Sequence, residues 1–232
     1  MYAKFFKRLL DFLLSLTALA VLSPVLLILI IAGAIAMRGN PFFTQKRPGK
    51  ICKKTGKEKI FKLVKFRTMS NKRDHDGKLF PDHIRLNKYG RILRSTSLDE
   101  LPELFNILKG DMAIVGPRPQ LVRDMTFMSE EQRRRHSIRP GLTGLAQING
   151  RNNITWEQKF EYDLQYINGG VTFFGDIKII FGTFGKVLKR SDTVREGTAS
   201  DLDFGDWLMQ EGKVDQVTYD QKQEEAKALL EA

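Results

Sequence analysis

The sequence predicts a membrane-bound chain of mixed helices and strands, and three observations carry that expectation. Phe12 to Met37 is an uncharged, mostly apolar run of 26 residues, longer than the ~20 needed to cross a bilayer as a helix. Ile60 to Phe66 alternates apolar residues with lysines, the period of a half-buried strand. Leu98, Leu101, Leu104, Phe105 and Leu108 recur at helical spacing and are followed by Gly110 as a stop.

The apolar run has basic residues on both sides: Lys4, Lys7 and Arg8 before it, Arg38, Lys46, Arg47 and Lys50 after it. It is too long for the ~7–15-residue core of a cleaved signal peptide. Ser23-Pro24 lies near its middle, and a proline there removes a backbone donor and disturbs the preceding turn. Two outcomes are open to such a run, a kinked single span or a hairpin that returns to the side it left. Two basic flanks disfavour the straight span, because basic residues are held on the cytoplasmic side.

Pro41 to Met69 reads as extended structure with a tight turn at Thr55-Gly56, and Asn71 to Lys78 as a charged loop. Ile84 to Leu93 has near-helical spacing. Ser97 to Lys109 reads as one helix opened by a Ser97-x-x-Glu100 capping box. Met112 to Val115 is a short strand. Ser129 to His136 is a short helix with acids first and arginines last. Arg139 to Arg151 is a glycine-rich structured loop, and Thr155 to Tyr166 is a further helix. Phe173 to Arg190 mixes large apolar residues with lysines. It reads equally as a core helix or as one lying in the bilayer interface. From Ser191 onward the chain reads as a weakly ordered polar appendage with a terminal helix at Gln221 to Leu230.

Charge and metal-ligand counts narrow the function. The 232 residues carry +11 net, but Asp201 to Ala232 holds nine acids and three bases, which leaves +17 on the body. A body of that charge attracts polyanions, with nucleic acid, anionic lipid and nucleotide phosphates as candidates. No helix-turn-helix, RNP or zinc-finger pattern supports nucleic acid. Cys52 is the single cysteine, and His75, His83 and His136 have no ligand spacing, so a metal site would be built from oxygens and favour magnesium or calcium.

Asp99-Glu100 is the carboxylate pair of interest. It fits a plain helix start, in which Glu100 caps, and it fits catalysis. Lys65, Arg67, Arg94, Arg118, Arg139 and Arg151 stand at loop or element ends, with Arg118 fixed between two prolines. Carboxylates and arginines together suit phosphoryl chemistry, in which a diphosphate is neutralised before a nucleophile approaches. A helix N-terminus at Asp99 would keep its carboxylate ionised. No P-loop or kinase signature is present.

The motifs resemble a known family. They include Lys7-Arg8-x-x-Asp11, Ser23-Pro24, Phe43-Thr44-Gln45-Lys46-Arg47-Pro48-Gly49, and Lys65-Phe66-Arg67-Thr68-Met69. Arg94-Ser95-Thr96-Ser97-Leu98-Asp99-Glu100-Leu101-Pro102 and Lys109-Gly110-Asp111-Met112 follow. Then come Val115-Gly116-Pro117-Arg118-Pro119, Arg139-Pro140-Gly141-Leu142-Thr143-Gly144 and Gln147-Ile148-Asn149-Gly150-Arg151. In this order they resemble the small bacterial sugar transferases, the monotopic polyprenyl-phosphate phosphoglycosyl transferases. The resemblance covers about residues 1–190 and is strongest to the initiating enzyme of Campylobacter-type N-linked glycosylation. The acidic tail lies outside it, and the basic segment Ile51 to Lys59 looks longer than the family turn.

The resemblance implies an α+β monotopic membrane protein. Residues 1–40 would form a re-entrant helix-break-helix, 41–190 a small cytoplasmic catalytic domain with amphipathic interfacial helices, and 191–232 the tail. It implies an enzyme at the cytoplasmic face of the bacterial inner membrane, and the meeting of a cytoplasmic UDP-sugar with a lipid phosphate argues for the returning hairpin. Asp99 would attack the β-phosphate of a UDP-sugar and release UMP, and undecaprenyl phosphate would take the phosphosugar from Asp99. Glu100 would hold Mg2+, with Mn2+ as a substitute. Lys65, Arg94, Arg118, Arg151 and Asp163 would bind substrate. The short length ahead of the motifs favours an N-acetylated amino sugar, with UDP-glucose or UDP-galactose for capsule or O-antigen as the alternative. Partners would be UDP-sugar, polyprenyl phosphate and membrane lipids, with downstream glycosyltransferases as further candidates and no nucleic acid.

Overall fold

The computed structural model describes residues 1–150, 154–188 and 202–231. A π-helical turn, Tyr2–Phe6, leads into α1 (Lys7–Val21), and after a break at Leu22 the chain continues as α2 (Ser23–Met37). The two arms are bent by 65°. Pro24 falls in the first turn of α2, where its missing N–H costs nothing, and Ser23 Oγ donates to Ala20 O at 2.8 Å, satisfying one carbonyl at the break. No single helix is long and apolar enough to cross a membrane, but the bent pair passes that test of length and composition together.

α1 is amphipathic. Asp11, Ser15 and Leu19 are buried against the body, while Leu9, Phe12, Leu13, Leu14 and Leu16 are exposed. Arg8 donates to Ile107 O and Leu108 O (2.7 and 2.8 Å), and Asp11 Oδ1 accepts from Ile114 N at 3.0 Å.

β1 (Phe42–Ile51) and β2 (Glu58–Phe66) form an antiparallel hairpin with Phe42 opposite Phe66 and a bulge between Pro48 and Ile51. The basic segment 51–59 is largely the turn of this hairpin, closed by Cys52 N donating to Lys57 O and turned by Gly56 at φ 67°. Next come α3 (Asp82–Arg85), α4 (Lys88–Thr96), a 3-10 turn at Leu98–Glu100, and α5 (Glu103–Lys109). β3 (Ala113–Val115), α6 (Val122–Met125), α7 (Glu130–Arg133) and β4 (Gly141–Thr143) follow. β3 and β4 pair in parallel.

α8 (Leu145–Ile148), α9 (Trp156–Asn168) and α10 (Phe173–Leu188) complete the body, with Thr155 capping α9. The main core joins α1 and α2 to β2, α4 and α5 through Leu19, Leu26, Phe61, Leu63, Phe66, Leu93, Leu104 and Ile107. α10 has features of both expected readings. Ile179 and Asp176 are buried, while Phe174 is 81 % exposed and Phe181 70 %. Lys189 and Arg190 lie outside the described residues.

Two expectations are corrected. Ser97 to Lys109 is not one helix: Ser97 sits in the left-handed region at φ 56°, makes no side-chain cap, and α5 begins only after Pro102. The tail, among its described residues, is not a loose appendage. It forms α11 (Phe204–Gln210) and α12 (Gln216–Glu231), and Phe204 is buried with Trp156, Phe160 and Met128. An apolar plug of this kind outweighs the polar composition around it.

Candidate active site

A cleft of about 750 Å³ opens between the hairpin, the 3-10 turn, the loop after β3 and α9. That volume is within the usual range for small-molecule sites. Lys65, Arg94, Asp99, Glu100, Arg118 and Asp163 all line it. Arg151 lies outside the described residues.

Each wall is fixed by local structure. Asn106 of α5 accepts from Val64 N at 3.1 Å and donates to Lys62 O at 2.8 Å, acting as a short strand against β2. This register delivers Lys65 to the carboxylates. Its Nζ lies 3.0 Å from Glu100 Oε1 and 3.0 Å from Glu103 Oε1. The second approach is an ion pair without hydrogen-bond geometry, so Glu103 Oε1 is buried with no hydrogen bond. Arg118 closes onto Glu100 from the other side.

The Arg118 loop owes its position to glycines. Gly116 N donates to Thr143 O and Gly141 N to Pro117 O, both at 2.9 Å. A Cβ on Gly141 would lie 2.1 Å from Gly116 N, so the two backbones meet only because neither carries a side chain. On the opposite wall, Arg94 Nε donates to Thr68 Oγ1 at 3.1 Å.

Asp99 occupies the 3-10 turn and not the first turn of an α-helix. Burial raises its pKa above the ordinary carboxyl value, and the neighbouring Glu100 adds to this, while Lys65, Arg118 and Arg94 pull the other way. The expected helix N-terminus is absent, and what favours the ionised form here is the three cationic side chains, which oppose burial without cancelling it. Glu103 is raised for the same first reason, desolvation. Left-handed Ser97 holds the backbone that presents the pair, and non-glycine residues in that region store about 1–2 kcal/mol of strain.

Asp163 lines the cleft, but its carboxylate is occupied. Arg135 Nε and Nη2 both donate to Asp163 Oδ2 (3.0 and 2.6 Å), and Arg135 Nη2 also donates to Arg118 O at 2.7 Å. Asp163 thus supports Arg118 through Arg135. Residues that sequence reasoning missed are Glu103, Asn106 and Arg135. Arg47 was noted only as part of the basic flank and motif. It donates to Pro119 O and Gln45 Oε1 beside the cleft, with Nε unpartnered. Among the described residues, no group of three or more His, Cys, Asp or Glu is arranged to hold a metal on its own.

Comparison with known proteins agrees with the motifs. The family described as bacterial sugar transferase matches residues 2–190. The uncharacterized sugar transferase EpsL of Bacillus subtilis is 46% identical over 182 residues, 78% of this chain and 87% of that protein. A UDP-glucose:undecaprenyl-phosphate glucose-1-phosphate transferase of Klebsiella pneumoniae is 41% identical over 77% of this chain, but over only 39% of its own length. The galactosyl transferase CpsE of Streptococcus agalactiae is 42% identical over 65% of this chain and 35% of its own length. The chain thus spans most of the length of EpsL and well under half of the two longer relatives. The cleft-lining stretch from the hairpin to α9 falls within the family match, and the chain belongs to the bacterial sugar transferase family.

Proposed function

We propose that the chain transfers a phosphosugar from a UDP-sugar to polyprenyl phosphate. The observation that carries this reading is the convergence of Asp99, Glu100, Lys65, Arg94 and Arg118 on one cleft. An Asp99 oxygen attacks the β-phosphorus, the bond to the bridging oxygen breaks, and UMP leaves with that electron pair. A lipid phosphate oxygen then attacks the same phosphorus, the bond to Asp99 breaks, and polyprenyl-diphosphate sugar leaves. Lys65, Arg94 and Arg118 offset the charge on the diphosphate and oppose the burial that raises the Asp99 pKa.

Glu100 and Glu103 fit a magnesium or manganese ion. Both are oxygen donors in the cleft, and Lys65 Nζ, 3.0 Å from an oxygen of each, occupies the place a cation would take. One or two carboxylates suffice when phosphates complete the shell. Such an ion would neutralise diphosphate charge.

The relatives whose names give a sugar act on UDP-glucose or UDP-galactose. That supports a hexose donor at least as well as the N-acetylated amino sugar, and a panel of UDP-sugars decides between them. Release of UMP should occur with one sugar class. UMP should also exchange into UDP-sugar without lipid. No release from any UDP-sugar would overturn the reading.

The bent pair α1–α2 serves, in this proposal, as a re-entrant anchor at the cytoplasmic face of the inner membrane. Each arm has 15 residues, or roughly 22 Å of helix against a ~30 Å hydrocarbon core. The exposed Phe174, Phe181 and Phe184 of α10 offer a second apolar surface. Cysteines placed at Ala3 and Asn40, with Cys52 replaced, should both react from the cytoplasmic face. Labelling from opposite faces would make the break at Leu22 a kink in a span.

A further inference from the structure

The cleft has a wall that the family match does not contain. Leu202 and Asp203, beyond the matched residues 2–190, line the same cleft as Asp99 and Arg118. They are held there firmly. Trp156 Nε1 donates to Leu202 O at 3.3 Å, and Phe204 N donates to the buried Asp124 Oδ1 at 2.8 Å. The Phe204 ring inserts between Trp156 and Phe160, with centroids 5.2 and 5.0 Å away. Lys213 pairs with Glu157 at 2.7 Å, and Tyr219 OH donates to Asp206 Oδ1 at 2.5 Å.

This wall has an electrostatic difficulty and a local solution to it. The tail is acidic, nine acids against three bases from Asp201 on, and a carboxylate at a cleft that takes a diphosphate would repel it. Arg123 removes the difficulty by pairing with both Asp203 and Asp206, the second at 3.3 Å. What remains facing the cleft is the half-exposed Leu202 side chain and an Asp203 whose charge is offset by Arg123.

We infer that Leu202 and Asp203 are part of the donor site, a tail-borne wall whose Asp203 charge is offset by Arg123 and that sets affinity for the UDP-sugar. The inference rests on the proposed reaction. Its signature is a change in KM with kcat preserved, because Leu202 and Asp203 are not among the groups assigned to the bond-making steps.

The test is steady-state UMP release by the full-length protein in detergent or vesicles, across a range of salt. Leu202→Glu places an unpaired charge on the wall at a position with little packing to lose. It should raise KM for the UDP-sugar about tenfold at low salt, leave kcat within about twofold, and lose most of the effect near 0.5 M salt. Arg123→Gln should do the same, and adding Asp203→Asn should restore KM. Removal of residues 202–232 should raise KM without the salt dependence. If the truncated protein fails to fold, the point variants decide.

Folded Leu202→Glu and Arg123→Gln variants with wild-type KM at low salt would overturn the inference. So would a raised KM that salt does not relieve and Asp203→Asn does not repair, since that pattern belongs to lost structure. Failure of the wild type to release UMP from any UDP-sugar would count against the reaction itself, a separate result.

Discussion

Two carboxylate–guanidinium pairs meet at the cleft, which Glu100, Arg118 and Asp163 line and Arg135 backs from behind, and they differ in burial. Glu100–Arg118 remains partly open, with the Arg118 side chain 33 % exposed, whereas Asp163–Arg135 is sealed at 3 % and 1 %. An open pair can exchange its partner for a phosphate or a metal. A sealed pair cannot, because separating it leaves a desolvated charge. In the proposed reaction the same residue types act as machinery in one place and as framework in the other, and burial decides which.

The contrast can be broken most directly at the open end. Asp99→Asn should lower turnover by at least about a thousandfold and abolish UMP exchange. It should not weaken the fold. A carboxyl whose pKa is raised in the folded state adds most stability below its unfolded pKa and loses it as pH rises through the folded value. The amide removes that loss, so thermal melts near pH 7 should show an unchanged or higher Tm. A folded, fully active Asp99→Asn enzyme would remove the distinction between machinery and framework.

Glu100→Gln should come next, with activity down about a hundredfold and a higher magnesium requirement in an EDTA back-titration. A variant that melts lower yet turns over normally would move Glu100 to the framework side. Asp163→Asn should show the opposite profile. Breaking a sealed pair from one side costs about 3–5 kcal/mol of stability, while kcat per folded molecule should fall only severalfold through a loosened Arg118. A large loss of kcat with an unchanged Tm would place Asp163 on the substrate.

The smallest effect belongs to a third carboxylate far from the cleft. Burial pushes Glu58 up, but hydrogen bonds from His136 and Arg133 outweigh it and bring its pKa to about 2. A depressed carboxylate contributes stability above its ordinary value of 4.5 that is lost as pH falls towards about 2. Glu58→Gln should therefore flatten the acid limb of a Tm-against-pH profile without changing turnover at neutral pH.

Much of the open pair was legible in the sequence because its residues cluster in short motifs. Asp99-Glu100, Lys65 and Arg118 each sit at an element end where a charge cannot be covering a core. The length of the apolar run also revealed α1–α2, and the alternation at Ile60 to Phe66 after the Thr55-Gly56 turn revealed the hairpin, since local pattern follows from local burial. The sealed pair was not legible. Arg135 sits in a run of three arginines that looks solvated, and Asp163 in a polar-looking helix face; only the chain's return brings them together. Asn106 was hidden likewise, since its buried amide serves a strand 42 residues away. The tail misled through composition, because a few apolar residues among acids give no periodic signal, yet Phe204, Trp207 and Leu208 seat it against Met128, Trp156 and Phe160. Ser97-x-x-Glu100 had the letters of a capping box, but Glu100 is drawn to Lys65 and Arg118 instead.

Arg8 and Asp11, described with α1, have a mechanical consequence. By gripping the last carbonyls of α5 and the amide of Ile114, they couple the apolar arm to the helix that starts three residues after Glu100. The arm is a lever and not a leash. In the proposed membrane arrangement, a tilt of α1 would act through these hydrogen bonds on the helix that follows the acidic turn. Cutting the chain at residue 40 would remove a structural member, leaving the α5 carbonyls and the face of Phe66 and Leu104 uncovered. No water-soluble catalytic fragment should survive that cut.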